Sequence, residues 1–129
     1  MSRWYLDTSA ALKLLVAEAE STALARVIDD EAPDLVACHL LETELRRAAH
    51  RAPTLAQEAV TGLLDGVSLY AVPASLFREA GLLPGSSLRS LDALHLAAAV
   101  RIGVDCLLSY EHRLIEAARN VGVRVVTPG

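Results

Sequence analysis

With 129 residues, 53% of them apolar and 22% charged, the chain is long enough to bury one sizeable core and too apolar to be disordered. Its net charge of −4 excludes a uniformly basic nucleic-acid coat, but not an enzyme that meets RNA through a local basic patch. Charges interrupt the apolar runs well short of the ~18 residues a membrane span needs, and no signal-peptide pattern is present, so a single cytoplasmic domain over 1–129 is expected.

Trp4 to Leu6 is a short apolar run that stops abruptly on Asp7, and it reads as a buried first strand. Ser9 is the expected N-cap of a helix that starts near Ala10 and runs to Val16. Glu18 to Glu31 reads as a second helix, closed by Pro33-Asp34. Leu35 to Cys38 is a second buried strand, ended by His39, and a helix follows from Leu40 to about Ala52. Thr54 is the expected cap of a further helix reaching Leu64. Ser68 to Val72 reads as the third strand and Ala74 to Leu83 as a short helix. Ser90 should cap the strongly helical stretch Leu91 to Ile102, with Gly103 as its stop. Val104 to Leu108 is the fourth strand, Glu111 to Asn120 a helix, and Val123 to Val126 the fifth strand. Strands that alternate with helices imply a three-layer α/β/α domain around a mostly parallel five-stranded sheet. Cys38 and Cys106 lie in apolar runs and read as small buried hydrophobes, with no cysteine or histidine spacing that suggests zinc.

In such a sheet, ligands collect at the carboxyl ends of the strands. Asp7 ends the first strand. Glu44 lies one turn into the helix after the second. Asp92 falls in the first turn of the helix before strand four, and Glu111 just beyond that strand. All four belong at one edge. Gathered carboxylates repel one another, and a divalent cation removes that cost. An all-oxygen set with retained waters suits Mg²⁺ or Mn²⁺, and such an ion can polarise a phosphoryl oxygen and supply hydroxide for in-line attack. Each acid also has a plainer role: Asp7, Asp92 and Glu111 as charges at helix starts, Glu44 as a partner for Arg47 or Arg51. Glu42 rivals Glu44, but two residues apart on a helix they face nearly opposite ways.

Four segments resemble the PIN domain, specifically the VapC-type ribonuclease toxins: Tyr5-Leu6-Asp7-Thr8-Ser9-Ala10, Glu44-Leu45-Arg46-Arg47-Ala48, Leu91-Asp92-Ala93-Leu94-His95-Leu96-Ala97-Ala98-Ala99 and Leu108-Ser109-Tyr110-Glu111-His112-Arg113-Leu114. The third is the most specific. The resemblance implies a Mg²⁺-dependent endoribonuclease (Mn²⁺ as the alternative ion) in which Asp7, Glu44 and Asp92 form the acidic metal site. Thr8, Ser9 and Ser109 would sit beside it, holding Asp7 or a water. The family usually has aspartate where this chain has Glu111, which is one methylene longer; it either reaches the ion or turns away. The resemblance also implies a homodimer and a cognate antitoxin that occupies a groove over Ala10 to Ile28. RNA phosphates would need cations, and Arg46, Arg47, Lys13 and Arg113 are the candidates near the edge. For His95, three residues after Asp92, the family's pattern suggests packing or hydrogen bonding rather than acid catalysis.

The competing reading is a catalytically silent PIN-like module that only binds a partner. Two aspartate-based phosphotransfer folds fit less well. A dehalogenase-type phosphatase wants a second aspartate where Ser9 stands, and a receiver domain wants its acceptor where Val72-Pro73 stands.

Overall fold

The computed structural model describes residues 2–129. Its elements run β1 (Arg3–Leu6), α1 (Thr8–Leu15), α2 (Ser21–Glu31), β2 (Asp34–Cys38), α3 (Leu40–Arg51) and α4 (Gln57–Leu64), followed by β3 (Ser68–Tyr70), α5 (Ala74–Gly81), α6 (Ser90–Ile102), β4 (Cys106–Leu108), α7 (His112–Asn120) and β5 (Val125–Val126). The sheet order is β3-β2-β1-β4-β5, and every pairing is parallel. The chain therefore leaves β1 in one direction for β2 and β3, then returns to the other side of β1 for β4 and β5. That makes the β1–β4 boundary the switch point, where an open α/β sheet leaves a crevice at its carboxyl edge.

Parallel strands buried on both faces read as continuous apolar runs. Trp4, Tyr5 and Leu6 of β1 and Cys106, Leu107 and Leu108 of β4 are all buried. Helices α1 and α2 pack together, as do α3 and α4, while α5, α6 and α7 pack among themselves. The three layers follow. Helix α6 carries Ala93, Ala97, Ala98 and Ala99 on its buried side, and side chains that small let a helix lie close against the sheet.

Several local boundaries differ from the sequence reading. Asp7, not Ser9, is the N-cap of α1: its φ/ψ of −83°/172° is extended and its Oδ1 accepts the Ala10 N–H at 2.9 Å. Helix α2 starts at Ser21, because Ser21 Oγ accepts the Glu18 N–H and donates to the Val16 carbonyl, which holds 17–20 as a turn. Thr54 caps nothing; α4 begins at Gln57, whose amide donates to the Arg46 carbonyl across the helix pair. Ser90 is the first residue of α6 rather than its cap, and Arg89 at the cap position makes no side-chain bond. Glu111 precedes α7 as its N-cap. The outer strands are shorter than expected, β5 by two residues. Gly103 does stop α6, with the left-handed φ of 74° that glycine adopts without penalty. Cys38 and Cys106 are free and buried.

Candidate active site

Asp7 is 2% exposed and takes hydrogen bonds from two chain segments. From α1 come the Ala10 N–H and Ser9 Oγ, the latter 2.8 Å from Oδ1 and 3.0 Å from Oδ2. From the end of β4 comes Ser109 Oγ, donating to Oδ2 at 2.6 Å. The two serines are themselves tied down: the Tyr110 N–H donates to Ser9 Oγ and the Glu111 N–H to Ser109 Oγ. Burial pushes the Asp7 carboxyl above its ordinary value, against the pull of Ser109, Ala10 and Ser9. Such a group is held in place by hydrogen bonds yet is costly to keep ionised without a nearby positive charge.

Glu44 comes to the same edge from α3. Its Oε1 accepts from Thr8 Oγ1 at 2.7 Å and lies 2.5 Å from His95 Nε2. Burial raises the Glu44 carboxyl, but the bonds from His95 and Thr8 outweigh it and leave the group below its ordinary value. Burial alone would lower His95. The contact with Cys38 and the much closer one with Glu44 carry the imidazole the other way, to about 10, so it is a cation at neutral pH. Of these two contacts Glu44 is the strong one, since Cys38 Sγ stands at 4.0 Å. Glu42 points elsewhere and pairs with Arg46.

Asp92 and Glu111 complete the edge. Asp92 is partly buried, and no hydrogen bond to it is found among the described residues. Burial raises its carboxyl, and so do the charges of Glu111, Asp7 and Glu44. Those influences place the four carboxylates in one field, with His95 as the opposing charge. Glu111 turns part of its side chain to α7, where Oε1 accepts the Arg113 N–H at 3.2 Å. Among the described residues no three potential ligands come close enough to grip one ion directly. The donor set fits a divalent cation that keeps much of its water and takes one or two carboxylates. It does not fit a closed protein cage.

The basic residues separate into tied and free. Arg46 is spanned by Glu42 at 2.9 Å, Gln57 and Thr61 at 3.1 Å. Lys13 pairs with Glu20 at 3.2 Å and lies 5.0 Å from the Tyr110 ring centre. Arg47, Arg51 and Arg113 are exposed and form no ion pair among the described residues. Arg47 and Arg51 line a cleft of about 380 Å³ whose wall includes Thr8 and Glu44, with Leu12, Leu40 and Leu91 as its apolar part. Sequence reasoning singled out Arg46 and Arg47 alike; Glu42 one turn back on α3 and the side chains of α4 distinguish them. It also missed Tyr5, whose Oη lies 2.7 Å from His95 Nδ1.

An acidic centre at the switch point of a parallel α/β/α sheet defines the class of domain. The chain belongs to the PIN domain family, whose profile matches residues 4–120. It is 38% identical to ribonuclease VapC35 of Mycobacterium tuberculosis over 97% of this chain and 96% of that protein. In structure it is similar to M. tuberculosis VapC20, described as a sarcin-ricin loop cleaving toxin, with a TM-score of 0.75 and 17% identity over 97% of this chain and 99% of the other. A toxin–antitoxin complex from Klebsiella pneumoniae matches with a TM-score of 0.73 and 16% identity over 97% of each chain. These structural likenesses speak for the fold. Among the described residues no helix is long and apolar enough to cross a membrane.

Proposed function

We propose that this chain is a divalent-metal-dependent endoribonuclease of the VapC toxin type, restrained by an antitoxin protein. The observation that carries the reading is Asp7: a carboxylate 2% exposed, fixed by Ser9, Ser109 and the Ala10 N–H, in one field with Asp92, Glu44 and Glu111. The full-length likeness to ribonuclease VapC35 supports the activity, and the Klebsiella complex supports the antitoxin. Mg²⁺, with Mn²⁺ as the alternative, would be held by Asp7, Asp92 and Glu44 through a partly retained water shell. When bound, such an ion offsets the charge of the scissile phosphate and lowers the pKa of an attacking water. The chain's own part is to hold three carboxylates at fixed positions and to present RNA to them. Arg47 and Arg51 are the phosphate contacts in this reading, with Arg113 on the far side of the edge. Arg46 and Lys13 are already committed to acidic and polar partners and are set aside.

The decisive test is cleavage of total cellular RNA by purified protein, with Mg²⁺ and with EDTA, wild type beside Asp7→Asn. Discrete products that need Mg²⁺ and vanish in the variant support the nuclease. No cleavage by folded, partner-free protein returns the chain to the silent binding module.

Two finer expectations follow from the geometry. Arg47→Ala with Arg51→Ala should weaken RNA binding and flatten the slope of log affinity against log salt by about 1 to 2, since each phosphate contact contributes about 0.7 to 0.9. Arg46→Ala should leave that slope unchanged. Titration of a labelled RNA at several salt concentrations decides it, and an equal effect of Arg46→Ala would move the RNA path to the α4 side. Glu111→Ser keeps a cap-forming side chain at the start of α7 but removes the charge. Loss of cleavage of about tenfold or more at unchanged melting temperature would make Glu111 part of the metal site; wild-type rates would leave it only a cap.

A further inference from the structure

Glu44, like Asp7, is a candidate metal ligand held by a partner buried behind it, and that partner is the ionisable side chain of His95. A glutamate side chain has three rotatable bonds, and ordering it costs free energy that its contacts must offset. Here both contacts fall on one atom. Thr8 Oγ1 donates to Oε1 at 2.7 Å, and His95 Nε2 lies 2.5 Å from the same oxygen. An oxygen of a carboxylate has about two acceptor positions, so Oε1 is filled. No partner for Oε2 is found among the described residues.

His95 is fixed in turn. It is 1% exposed, its Nδ1 stands 2.7 Å from Tyr5 Oη, and the two rings meet edge to face at 5.7 Å and 74°. Tyr5 Oη accepts the Cys38 N–H at 3.2 Å and lies 3.2 Å from Cys38 Sγ. A buried line of groups thus runs from the end of β2, through β1 and α6, to Glu44 on α3. Both imidazole nitrogens are occupied by protein groups, so substrate has no access to His95. Toward the acidic edge its close contact is Glu44 Oε1, with Thr8 Oγ1 farther off at 3.5 Å from Nε2.

We propose that His95, backed by Tyr5, is a positioning residue: it locks Oε1 so that Oε2 alone is presented to the cation or its water. The proposal rests on the metal-site reading above. Partners that orient a ligand in this way change metal affinity or activity by about 10- to 100-fold when removed.

Three variants test it: His95→Leu, which fills the space without a donor; His95→Gln, whose amide can donate to Glu44; and Tyr5→Phe, which keeps the ring and removes only the hydroxyl. Each is checked for fold by circular dichroism and melting. Mn²⁺ binding is then read directly by electron paramagnetic resonance, beside wild type and Asp7→Asn. His95→Leu is expected to weaken Mn²⁺ binding by about 10- to 100-fold, His95→Gln to restore it to within about threefold of wild type, and Tyr5→Phe to fall between them. A merely structural role would lower the melting temperature of His95→Leu and leave Mn²⁺ affinity where it was; that result overturns the proposal. If His95→Leu does not fold, Tyr5→Phe decides, with wild-type affinity counting against. Wild-type protein that binds no Mn²⁺ would instead sink the metal-site reading itself. Wild-type binding lost in Asp7→Asn but retained in His95→Leu would sink this proposal alone.

Discussion

Asp7→Asn should lower RNA cleavage by about a hundred- to a thousandfold while leaving the chain folded. Losing one fixed electrostatic group at a reacting centre costs about 10²- to 10³-fold, and Asp7 is the carboxylate with the most supports. Effects on stability oppose one another, because the amide nitrogen of asparagine cannot accept from Ser109 or Ser9 as a carboxylate oxygen does. Asparagine caps helices as well as aspartate does, so the bond from the Ala10 N–H survives. The neutral amide is also spared the desolvation that raises the Asp7 carboxyl. A carboxyl raised in the folded state binds a proton there that the unfolded chain has released. Without metal, its contribution to stability is therefore greatest at low pH and is lost as pH rises from near 3.8 through the raised folded value. The difference in melting temperature between Asp7→Asn and wild type, followed over pH in EDTA, should move in the variant's favour as pH rises across that window. Cleavage by Asp7→Asn at wild-type rate would remove the metal site from this edge.

Asp92→Asn is expected to lower cleavage by about a hundredfold or more and to abolish stabilisation by Mg²⁺. Asp92 gives up no protein hydrogen bond when neutralised, and it sheds the repulsion of Glu111, Asp7 and Glu44. An ion that binds only the folded state adds about 1.4 kcal/mol at ten times its dissociation constant, or about 3–8 °C in melting temperature for a domain of this size. Wild type should show that rise on addition of Mg²⁺, and the variant should start higher and stay flat. A metal-induced shift of equal size in both would place the ion elsewhere.

The alternation of apolar strands and helices was readable because the three central strands stop abruptly on a polar residue: Leu6 on Asp7, Cys38 on His39, Leu108 on Ser109. That pattern also located the four acids at one edge. The helix caps were harder. Asp7-Thr8-Ser9 offers three cap-forming residues in a row, and which one caps depends on Ser109 and Tyr110, whose groups arrive from beyond position 100 to occupy Asp7 and Ser9. The His95–Glu44 contact joins residues 51 apart in sequence, so no local period reveals it. Arg46 and Arg47 are neighbours of the same type on one helix, and Glu42 together with Gln57 and Thr61 of α4 makes the difference between them.

The bond between Ser109 and Asp7 closes a span of 102 residues, and β1 gains its β4 neighbour only with that closure. This sets a clock on synthesis. At about 5–20 residues per second, roughly 5–20 seconds separate the emergence of Asp7 from that of its last hydrogen-bond donor. Throughout that interval the nascent chain carries Asp7 supported by its own helix alone, with neither Asp92 nor His95 in place for most of it. Until β4 is made, the carboxylate at the centre of the acidic edge lacks its buried donor and β1 lacks one of its two neighbours, so the site is finished only after residue 109 has been added.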